Sequence, residues 1–499
     1  MRSSKLILAT LASVGTPVSA FWRMECRGVS GQARIDPLVA YGKAGTGHVH
    51  EIFGSSGFSD VADYDLLTAG NCTSCAVTAD KSAYWTPFPY FKDNETGEWE
   101  AVNNVGGMLA YYFLNPAPSG NQTIQAFPPG FRMLAGDTNR RNYTVGNSSY
   151  EDPDPDKSEW AALGQTTQSD LEQRALGFNC LDYTKTAEGS LYRHFMPSKE
   201  YIDAYCPDGI RFELMFPSCW DGVNLDSEDH KSHVAYPDLV IDGECPDDYP
   251  VRLPGLFYET IWDMGSYTDR AGMFAISNGD PLGFGYHGDF IMGWDETNFT
   301  LQDAVDTCTN LDGTIESCPL FTVISEAEQG ECQFEMPASL VSEDVDGPIA
   351  NLPGDITLAW GPAPANAGTS GSDTAEPTTV AVPTLSYSAG STASVNGSYV
   401  PGNIFKVTPT ATTVTVAATD AAVTSSASDP LITLATSTYT YTGASGDVTI
   451  SEIVYEEAIT WVTDMTTTTV YVEPTGVARR DAHAHAHAHK HRHARGHKH

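Results

Sequence analysis

The stretch Gly209-Ile-Arg-Phe-Glu-Leu-Met-Phe216 shows the pattern that decides the fold. Similar short apolar and aromatic runs occur at residues 108–114 and 252–259, and Gly, Pro, Asp and Asn separate them. Such runs are typical of strands, whereas helical periodicity is confined to stretches within residues 158–176 and to residues 301–308. The pattern predicts a mainly β domain, a disulfide-bonded β-sandwich or jelly roll with long loops and few helices.

The first twenty residues have the features of a secretory signal peptide. Arg2 and Lys5 precede a short apolar run, and Val18-Ser-Ala20 has the small-x-small pattern of a cleavage site. The apolar run is too short to span a bilayer. We therefore expect an extracellular protein, either free or associated with the cell wall, whose mature chain begins near Phe21.

Composition changes sharply near residue 360. Residues 21–360 mix aromatics, cysteines and charges as a packed domain does, whereas residues 361–478 are rich in Ser, Thr, Ala and Val and contain no cysteine. The second segment is typical of a disordered, O-glycosylated stalk. A tail at residues 479–499 begins with Arg479-Arg480, a dibasic processing signal, and carries eight histidines that favour Zn²⁺, Cu²⁺ or Ni²⁺ binding.

All ten cysteines lie between residues 26 and 332, and an even number in an exported chain predicts disulfides. Their connectivity cannot be derived from the sequence. Cys72-Thr-Ser-Cys75 has redox spacing, but no βαβ pattern surrounds it, so a structural role is favoured. Asn-x-Ser/Thr motifs predict glycosylated loops at Asn71, Asn94, Asn121, Asn142, Asn147, Asn298 and Asn396.

The acidity of the chain belongs to the predicted globular domain. Residues 21–360 contain 18 basic and 53 acidic side chains, in a chain of net charge −37. Such a surface repels nucleic acid and anionic membranes. It also favours a neutral polysaccharide over an anionic one as a partner. The oligomeric state is not indicated.

Five of the six histidines in the globular domain fall into three short groups. His48-Val-His50 places two imidazoles on one side of a strand. Asp229-His230-Lys-Ser-His233 places two on one face of a helical turn, and in His287-Gly-Asp289 a carboxylate lies two residues after the ring. His194 stands alone.

Two interpretations follow from these groups, besides the alternative that each ring is a hydrogen-bonded loop residue. In one, His48, His50, His230, His233 and His287 bind a divalent metal ion as cofactor. In the other, the same histidines with Asp289 form a catalytic acid–base site. Glycosidic hydrolysis needs two carboxylates, and the sequence does not choose among Asp36, Glu51, Asp221, Asp229, Glu259, Asp280 and Asp289.

Aromatic residues near Gly or Pro offer a second signal. Trp85, Trp220, Trp262 and Trp294 either stack on sugar rings from exposed positions or belong to the core of a β fold. Protease chemistry is not indicated, because neither Gly-x-Ser-x-Gly nor His-Glu-x-x-His occurs.

Several motifs together resemble a fungal secreted family that is defined by a domain of unknown function, DUF1996. They include Arg34-Ile-Asp-Pro-Leu-Val39, Asp80-Lys-Ser-Ala-Tyr-Trp-Thr-Pro87, Phe216-Pro-Ser-Cys-Trp-Asp-Gly-Val-Asn-Leu-Asp226 and Asn278-Gly-Asp-Pro281. The likeness runs from about residue 34 to about residue 335. It implies an extracellular protein, and some members carry WSC carbohydrate-binding modules, which this chain lacks.

These observations predict a secreted carbohydrate-active protein, a polysaccharide hydrolase or lyase acting on cell walls through a histidine/aspartate site. The alternatives are a non-catalytic glycan-binding wall protein and an extracellular metal-binding protein. Convergence of the three histidine groups on one cleft would favour the first.

Overall fold

The structure is a computed structural model that describes residues 20–120, 122–146 and 154–368 and two later strands. The predicted signal peptide, except Ala20, lies outside the described residues. So do the histidine-rich tail and all of the predicted stalk beyond residue 368 except those two strands.

The strands, in chain order, are β1 (Ala20–Cys26), β2 (Gly31–Ala33), β3 (His50–Gly54), β4 (Ala83–Pro87), β5 (Pro89–Asp93), β6 (Trp99–Ala101), β7 (Asn104–Leu114), β8 (Arg132–Gly136), β9 (Leu176–Cys180), β10 (Ile210–Met215), β11 (Cys219–Trp220), β12 (Val234–Ala235), β13 (Val251–Arg252), β14 (Gly255–Trp262), β15 (Gly272–Ile276), β16 (His287–Ile291), β17 (Ile432–Thr442) and β18 (Val448–Glu457). The α-helices are α1 (Tyr64–Ala69), α2 (Gln168–Arg174), α3 (Lys199–Tyr205), α4 (Leu301–Thr307) and α5 (Glu326–Glu331).

Two antiparallel five-stranded sheets form the body of the domain. The first has the order β1-β7-β14-β10-β9, and the second has the order β2-β3-β4-β16-β8. Two three-stranded sheets, β15-β5-β6 and β12-β11-β13, lie beside them. The mainly β fold with few helices is therefore confirmed, and the runs at 108–114, 209–216 and 252–259 lie in or beside three central strands of the first sheet.

The two large sheets face each other across one core. The Tyr84 hydroxyl from the second sheet lies 2.8 Å from the Tyr112 hydroxyl of the first. The Tyr258 hydroxyl donates to the carbonyl of Asp289 at 3.0 Å. These hydroxyls pair with one another or with backbone because a buried polar group without a partner is costly. The predicted sandwich is thus held by aromatic packing as well as by apolar burial.

The second sheet is covered on both faces. Because side chains alternate along a strand, Tyr84 and Phe290 point into the main core, and Trp85 and Ile291 point to the opposite face. That outer face packs against Leu67 of helix α1 and against loops that carry Phe58, Phe334 and Leu340. The candidate site lies at one end of this outer face.

Five disulfides staple the domain, and none of the cysteines is free. They join Cys26–Cys75, Cys72–Cys332, Cys180–Cys206, Cys219–Cys245 and Cys308–Cys318. The predicted disulfides are confirmed, and Cys72 and Cys75 have different partners, so their spacing is structural. Disulfides that close loops as long as the 260 residues between Cys72 and Cys332 restrict the unfolded chain strongly.

The helices are short and begin at side-chain caps. Thr167 and Asp170 form a capping box at the start of α2, and Thr300 and Asp303 form another at α4. Among the described residues, no helix has the length and apolarity needed to cross a membrane.

Four of the tryptophans that could have stacked on sugars lie in the core instead. Trp85, Trp220, Trp262 and Trp294 are each at most 1% exposed. Sequence proximity to Gly and Pro reflects the turns that end their strands. Of the predicted glycosylation sites, Asn71, Asn94, Asn142 and Asn298 are exposed, and the other three lie outside the described residues.

The later strands form a separate unit. β17 and β18 pair antiparallel from Ile432 with Glu457 to Thr442 with Val448. They fall inside the segment predicted as a stalk, whose remaining residues are not described.

Candidate metal centre

Three of the predicted site histidines meet on the outer face of the second sheet. His50 begins β3, and His48 precedes it by two residues, so both rings lie on the same side. His287 begins β16, two strands away. His50 pairs with Pro87 of the intervening β4, and Trp85 of β4 pairs with Asp289, so the antiparallel register continues to bring His287 level with His50.

The three rings are within metal-binding reach of one another. One nitrogen from each of His48, His50 and His287 lies within 4.8 Å of the others. Nε2 of His48 is 3.0 Å from Nε2 of His287. Two nitrogens bound to one tetrahedral ion at about 2.0–2.1 Å are about 3.3 Å apart. The observed spacing is therefore close to that of a metal site.

The backbone fixes the tautomer of His287. Its Nδ1 lies 2.8 Å from the carbonyl oxygen of Gly285, so Nδ1 carries the proton and the lone pair is on Nε2. Asn278 donates to the same carbonyl at 2.8 Å, and the Gly285 amide donates to Asp280. Metal-binding histidines are commonly oriented by a second shell of this kind.

His50 is less constrained by hydrogen bonds. It is 1% exposed, and neither ring nitrogen makes a hydrogen bond of good geometry. The carbonyl of Ile35 nevertheless lies close enough to raise its pKa slightly against the effect of burial. A buried imidazole without a well-formed hydrogen bond is costly, and a bound cation would remove that cost.

Two carboxylates adjoin the histidines. Asp289 lies on the same sheet face as Trp85 and is completely buried, and neither of its oxygens has a hydrogen-bond partner. Atoms of Asp36, His50 and Asp289 also lie within 4.8 Å of one another. Oδ1 of Asp36 accepts from the Leu38 and Val39 amides, both at 3.0 Å. His50 therefore belongs to a three-histidine group and to an aspartate–histidine–aspartate group.

The charge states suit a cation. Burial lowers the pKa of His48 and His50 well below the usual value, and neighbouring rings lower it further. Burial also lowers the pKa of His287 to about 4. The pKa of Asp289 is raised well above its usual value, first by burial and then by Asp36. The rings are thus neutral at neutral pH, with lone pairs free to bind a metal.

The site opens to solvent on one side. His48 is partly exposed, whereas His50 and His287 are buried. The loop of residues 36–48 carries Asp36 and His48, and Gly47 in its left-handed conformation (φ 71°) turns the chain toward β3. On the same loop Tyr41 is 47% exposed and Val39 is 64% exposed. Solvent can therefore reach the group at His48, as a catalytic metal site requires for its open position.

The other two predicted site histidines are not part of the three-histidine group. His233 is buried, with Nδ1 2.9 Å from the Ser227 hydroxyl and Nε2 2.8 Å from the Arg132 carbonyl. Both nitrogens are satisfied, as a structural histidine requires. His230 lies at the rim, with its Nδ1 2.7 Å from Asp226. Burial raises the pKa of Asp36, and His230 is close enough to oppose part of that rise.

Most of the other candidate carboxylates have structural partners. Asp221 and Asp229 accept backbone amides in turns. Glu259 accepts from Tyr111 on the first sheet, at 2.8 Å. Glu51 is buried between Gln32 and Asn104, and burial raises its pKa to about 7. Alternation along β3 directs Glu51 away from the face that bears His50.

Sequence reasoning listed Asp36 and Asp280 only among seven candidate carboxylates. Asp36 lies in the motif Arg34-Ile-Asp-Pro-Leu-Val39, and Asp280 lies in Asn278-Gly-Asp-Pro281. The structure gives both motifs a physical role, since one supplies Asp36 beside His50 and the other holds Gly285 beneath His287. The occurrence of Asp36 and Asp280 within these two motifs was the sequence signal that could have singled them out.

Comparison with known proteins identifies a family but no activity. No curated protein and no solved structure matches the chain significantly. A family model described as a domain of unknown function, DUF1996, matches residues 36–294, a span that contains Asp36, the three convergent histidines and Asp289. The chain belongs to the DUF1996 family.

Proposed function

We propose that the protein is a secreted, metal-dependent carbohydrate-active enzyme, acting on a neutral cell-wall polysaccharide at the His48–His50–His287 centre. The convergence of His287 with the neighbouring pair His48 and His50 carries this proposal, since His48 precedes His287 by 239 residues in the chain. Three histidine ligands with one open side suit Zn²⁺ or another borderline divalent ion.

The chain's own residues would divide the work as follows. His48, His50 and His287 hold the ion, and the Gly285 carbonyl keeps His287 in the required tautomer. A divalent ion there supplies Lewis acidity to a substrate oxygen or to water. Asp289 adjoins His50 and completes the histidine/aspartate site. This set can support either hydrolysis or elimination.

Carbohydrate as the substrate class rests on the surroundings of the centre. Tyr41 offers an exposed ring on the loop that carries His48, and aromatic rings stack well on sugar faces. The net charge of −37 disfavours a polyanionic polymer. The signal-like N-terminus and five disulfides support export to an oxidising compartment.

The test needs a chain whose tail does not bind metal. In what we term the tail-substituted chain, the eight histidines between residues 483 and 499 are replaced by glutamine. This protein, loaded with Zn²⁺ or Mn²⁺, is incubated with glucans, chitin, mannans and pectins, and soluble products are measured. We expect soluble product from one neutral polymer. Product formation should stop when the metal is chelated, and it should be absent in the double variant His48→Gln/His287→Gln.

The variant His194→Gln is the matched control, because His194 is buried against Leu176 and Asp154 elsewhere in the domain. It should retain full product formation. Tyr41→Ala should weaken polymer binding without loss of metal. If no polymer yields a product that depends on His48 and His287, the enzymatic proposal is wrong. Retention on an insoluble polymer without product would then favour a glycan-binding protein.

A further inference from the structure

We propose that the centre holds two cations, the second bound between Asp36, His50 and Asp289. This inference rests on the proposed metal centre and adds to it a second divalent ion of the kind that accepts carboxylate oxygen. The sequence interpretation assigned a single divalent ion to this set of histidines and an aspartate. The second position gives the unpartnered oxygens of Asp289 a partner.

Asp289 is the main observation. It has no exposed surface, and neither Oδ1 nor Oδ2 has a hydrogen-bond donor among the described residues. Its cross-strand neighbours on the same sheet face, Trp85 and Leu134, donate no hydrogen bond to it. An ionised carboxylate there without a cation would cost several kcal/mol, and a neutral one still leaves polar atoms unsatisfied.

Asp36 adds a second carboxylate to the same spot. Its Oδ1 is held by the Leu38 and Val39 amides, which fixes the side chain and leaves Oδ2 out of those bonds. Two carboxyl groups this close repel when both are ionised. A divalent ion between them would compensate both charges and also satisfy the orphan oxygens of Asp289.

The ligand atoms separate into two sets. His48, His50 and His287 form one, and Asp36, His50 and Asp289 form the other, with atoms in each set within 4.8 Å of one another. His50 is the shared member, and neither of its nitrogens is engaged in a well-formed hydrogen bond. One nitrogen can therefore face each ion. A neutral imidazole has one N–H proton, and binding two ions releases that proton to water.

The geometry also limits the distance between the ions. A ring that gives one nitrogen to each ion holds them about 6 Å apart, because two metal–nitrogen bonds of about 2.0–2.1 Å then point outward from the two sides of the ring. Such a bridge transmits magnetic coupling between paramagnetic ions.

Metal stoichiometry tests this directly. The tail-substituted chain is loaded with Zn²⁺, desalted, and analysed for zinc per protein. We expect two equivalents, falling to one in Asp289→Asn, with the remaining equivalent lost when His287→Gln is added. Loaded with Cu²⁺ instead, the parent should show an electron paramagnetic resonance signal reduced by coupling, and Asp289→Asn should restore that of an isolated ion.

One equivalent in the parent, or loss of all zinc in Asp289→Asn, would overturn the second site. Histidine-dependent product formation with only one equivalent would refute this inference alone, whereas a chain that binds no zinc would refute the metal centre itself. Near-ultraviolet circular dichroism checks that Asp289→Asn keeps the parent's fold. If it does not, Asp36→Asn is tested instead, and zinc should again fall from two equivalents to one. His194→Gln, which should keep both, is the control.

Discussion

At His287, a single backbone contact decides which nitrogen faces the centre. Nδ1 donates to Gly285, so Nε2 is presented to His48. His233 shows the opposite arrangement, since both of its nitrogens are engaged by Ser227 and Arg132. The two rings are equally buried. What distinguishes a ligand from a structural histidine here is whether a hydroxyl or backbone group engages the second ring nitrogen.

This contrast predicts different outcomes for the same substitution. His287→Gln in the tail-substituted chain should lose the metal bound by the histidines. His233→Gln should keep it but lower the free energy of unfolding by about 1–3 kcal/mol, because buried hydrogen bonds are lost. Elemental analysis and urea denaturation measure the two effects. Metal loss in His233→Gln with an intact fold would contradict the assignment.

The support beneath His287 can be tested through Asn278. Its side-chain amide donates to the Gly285 carbonyl at 2.8 Å. Asn278→Ala should leave the ligands in place but weaken metal affinity by about 10–100-fold, as is usual for second-shell changes. Competition with a chromophoric chelator measures the affinity. Asn224→Ala, which removes a hydrogen bond to Asp221, is the control and should leave the affinity unchanged.

At the scale of elements, the site depends on β3, β4 and β16 lying side by side. Alternation along β16 points His287 and Asp289 outward and directs the position of Gly288 toward the interior. A Cβ at Gly288 would lie 2.6 Å from Leu214 Cδ2 on the first sheet and 3.0 Å from Thr86 Cγ2. The missing side chain thus allows the two sheets to approach behind the ligands.

Gly288→Ala should therefore overpack the interface between the sheets, costing about 1–3 kcal/mol in the free energy of unfolding. Gly330→Ala is the matched control, because a Cβ there has no atom within 4 Å and the residue lies in helix α5. It should be neutral or stabilise by up to about 1 kcal/mol. Thermal denaturation compares them, and an unaffected Gly288→Ala would contradict the close packing.

Elements of this kind were partly predictable. Short apolar runs identified three strands of the first sheet, and His48-Val-His50 correctly placed two rings on one side of a strand. The meeting of His287 with them was not predictable, because it depends on the pairing of β4 with both β3 and β16, contacts across more than 200 residues. The core positions of Trp85 and Trp294 were equally ambiguous, since a buried and a sugar-binding tryptophan have the same local sequence.

At the scale of the whole molecule, the domain combines a strongly acidic composition with buried carboxyls. Burial raises the pKa of Asp80 to about 6, and burial raises the pKa of Glu213 to about 7. Glu213 lies directly opposite Glu259 in the first sheet, and Arg211 contacts both. These groups bind protons more tightly in the folded than in the unfolded chain.

The contribution of these two carboxyls to stability should consequently fall as pH rises. Unfolded carboxyls lose their protons near pH 4, whereas Asp80 and Glu213 keep theirs to about pH 6–7, so between these values each of them favours the folded state less as the pH rises. Buried histidines of lowered pKa act in the opposite sense, so the contribution of Glu213 is measured as the urea midpoint of the parent chain minus that of Glu213→Gln. This difference should be smaller at pH 7.5 than at pH 5, and a difference that grows with pH would contradict the assignment.

The proposed chemistry of this acidic, disulfide-bonded domain depends on the His48–His50–His287 centre. X-ray absorption at the zinc edge tests that centre most directly. The tail-substituted chain, loaded with one equivalent of Zn²⁺, should show nitrogen ligands at about 2.0–2.1 Å with the outer-shell scattering of imidazole rings. That scattering should fall in His48→Gln/His287→Gln, which removes two of the three imidazole ligands, and be kept in His194→Gln. A tail-substituted chain that retains no zinc, or holds it without imidazole ligands, would contradict the metal centre.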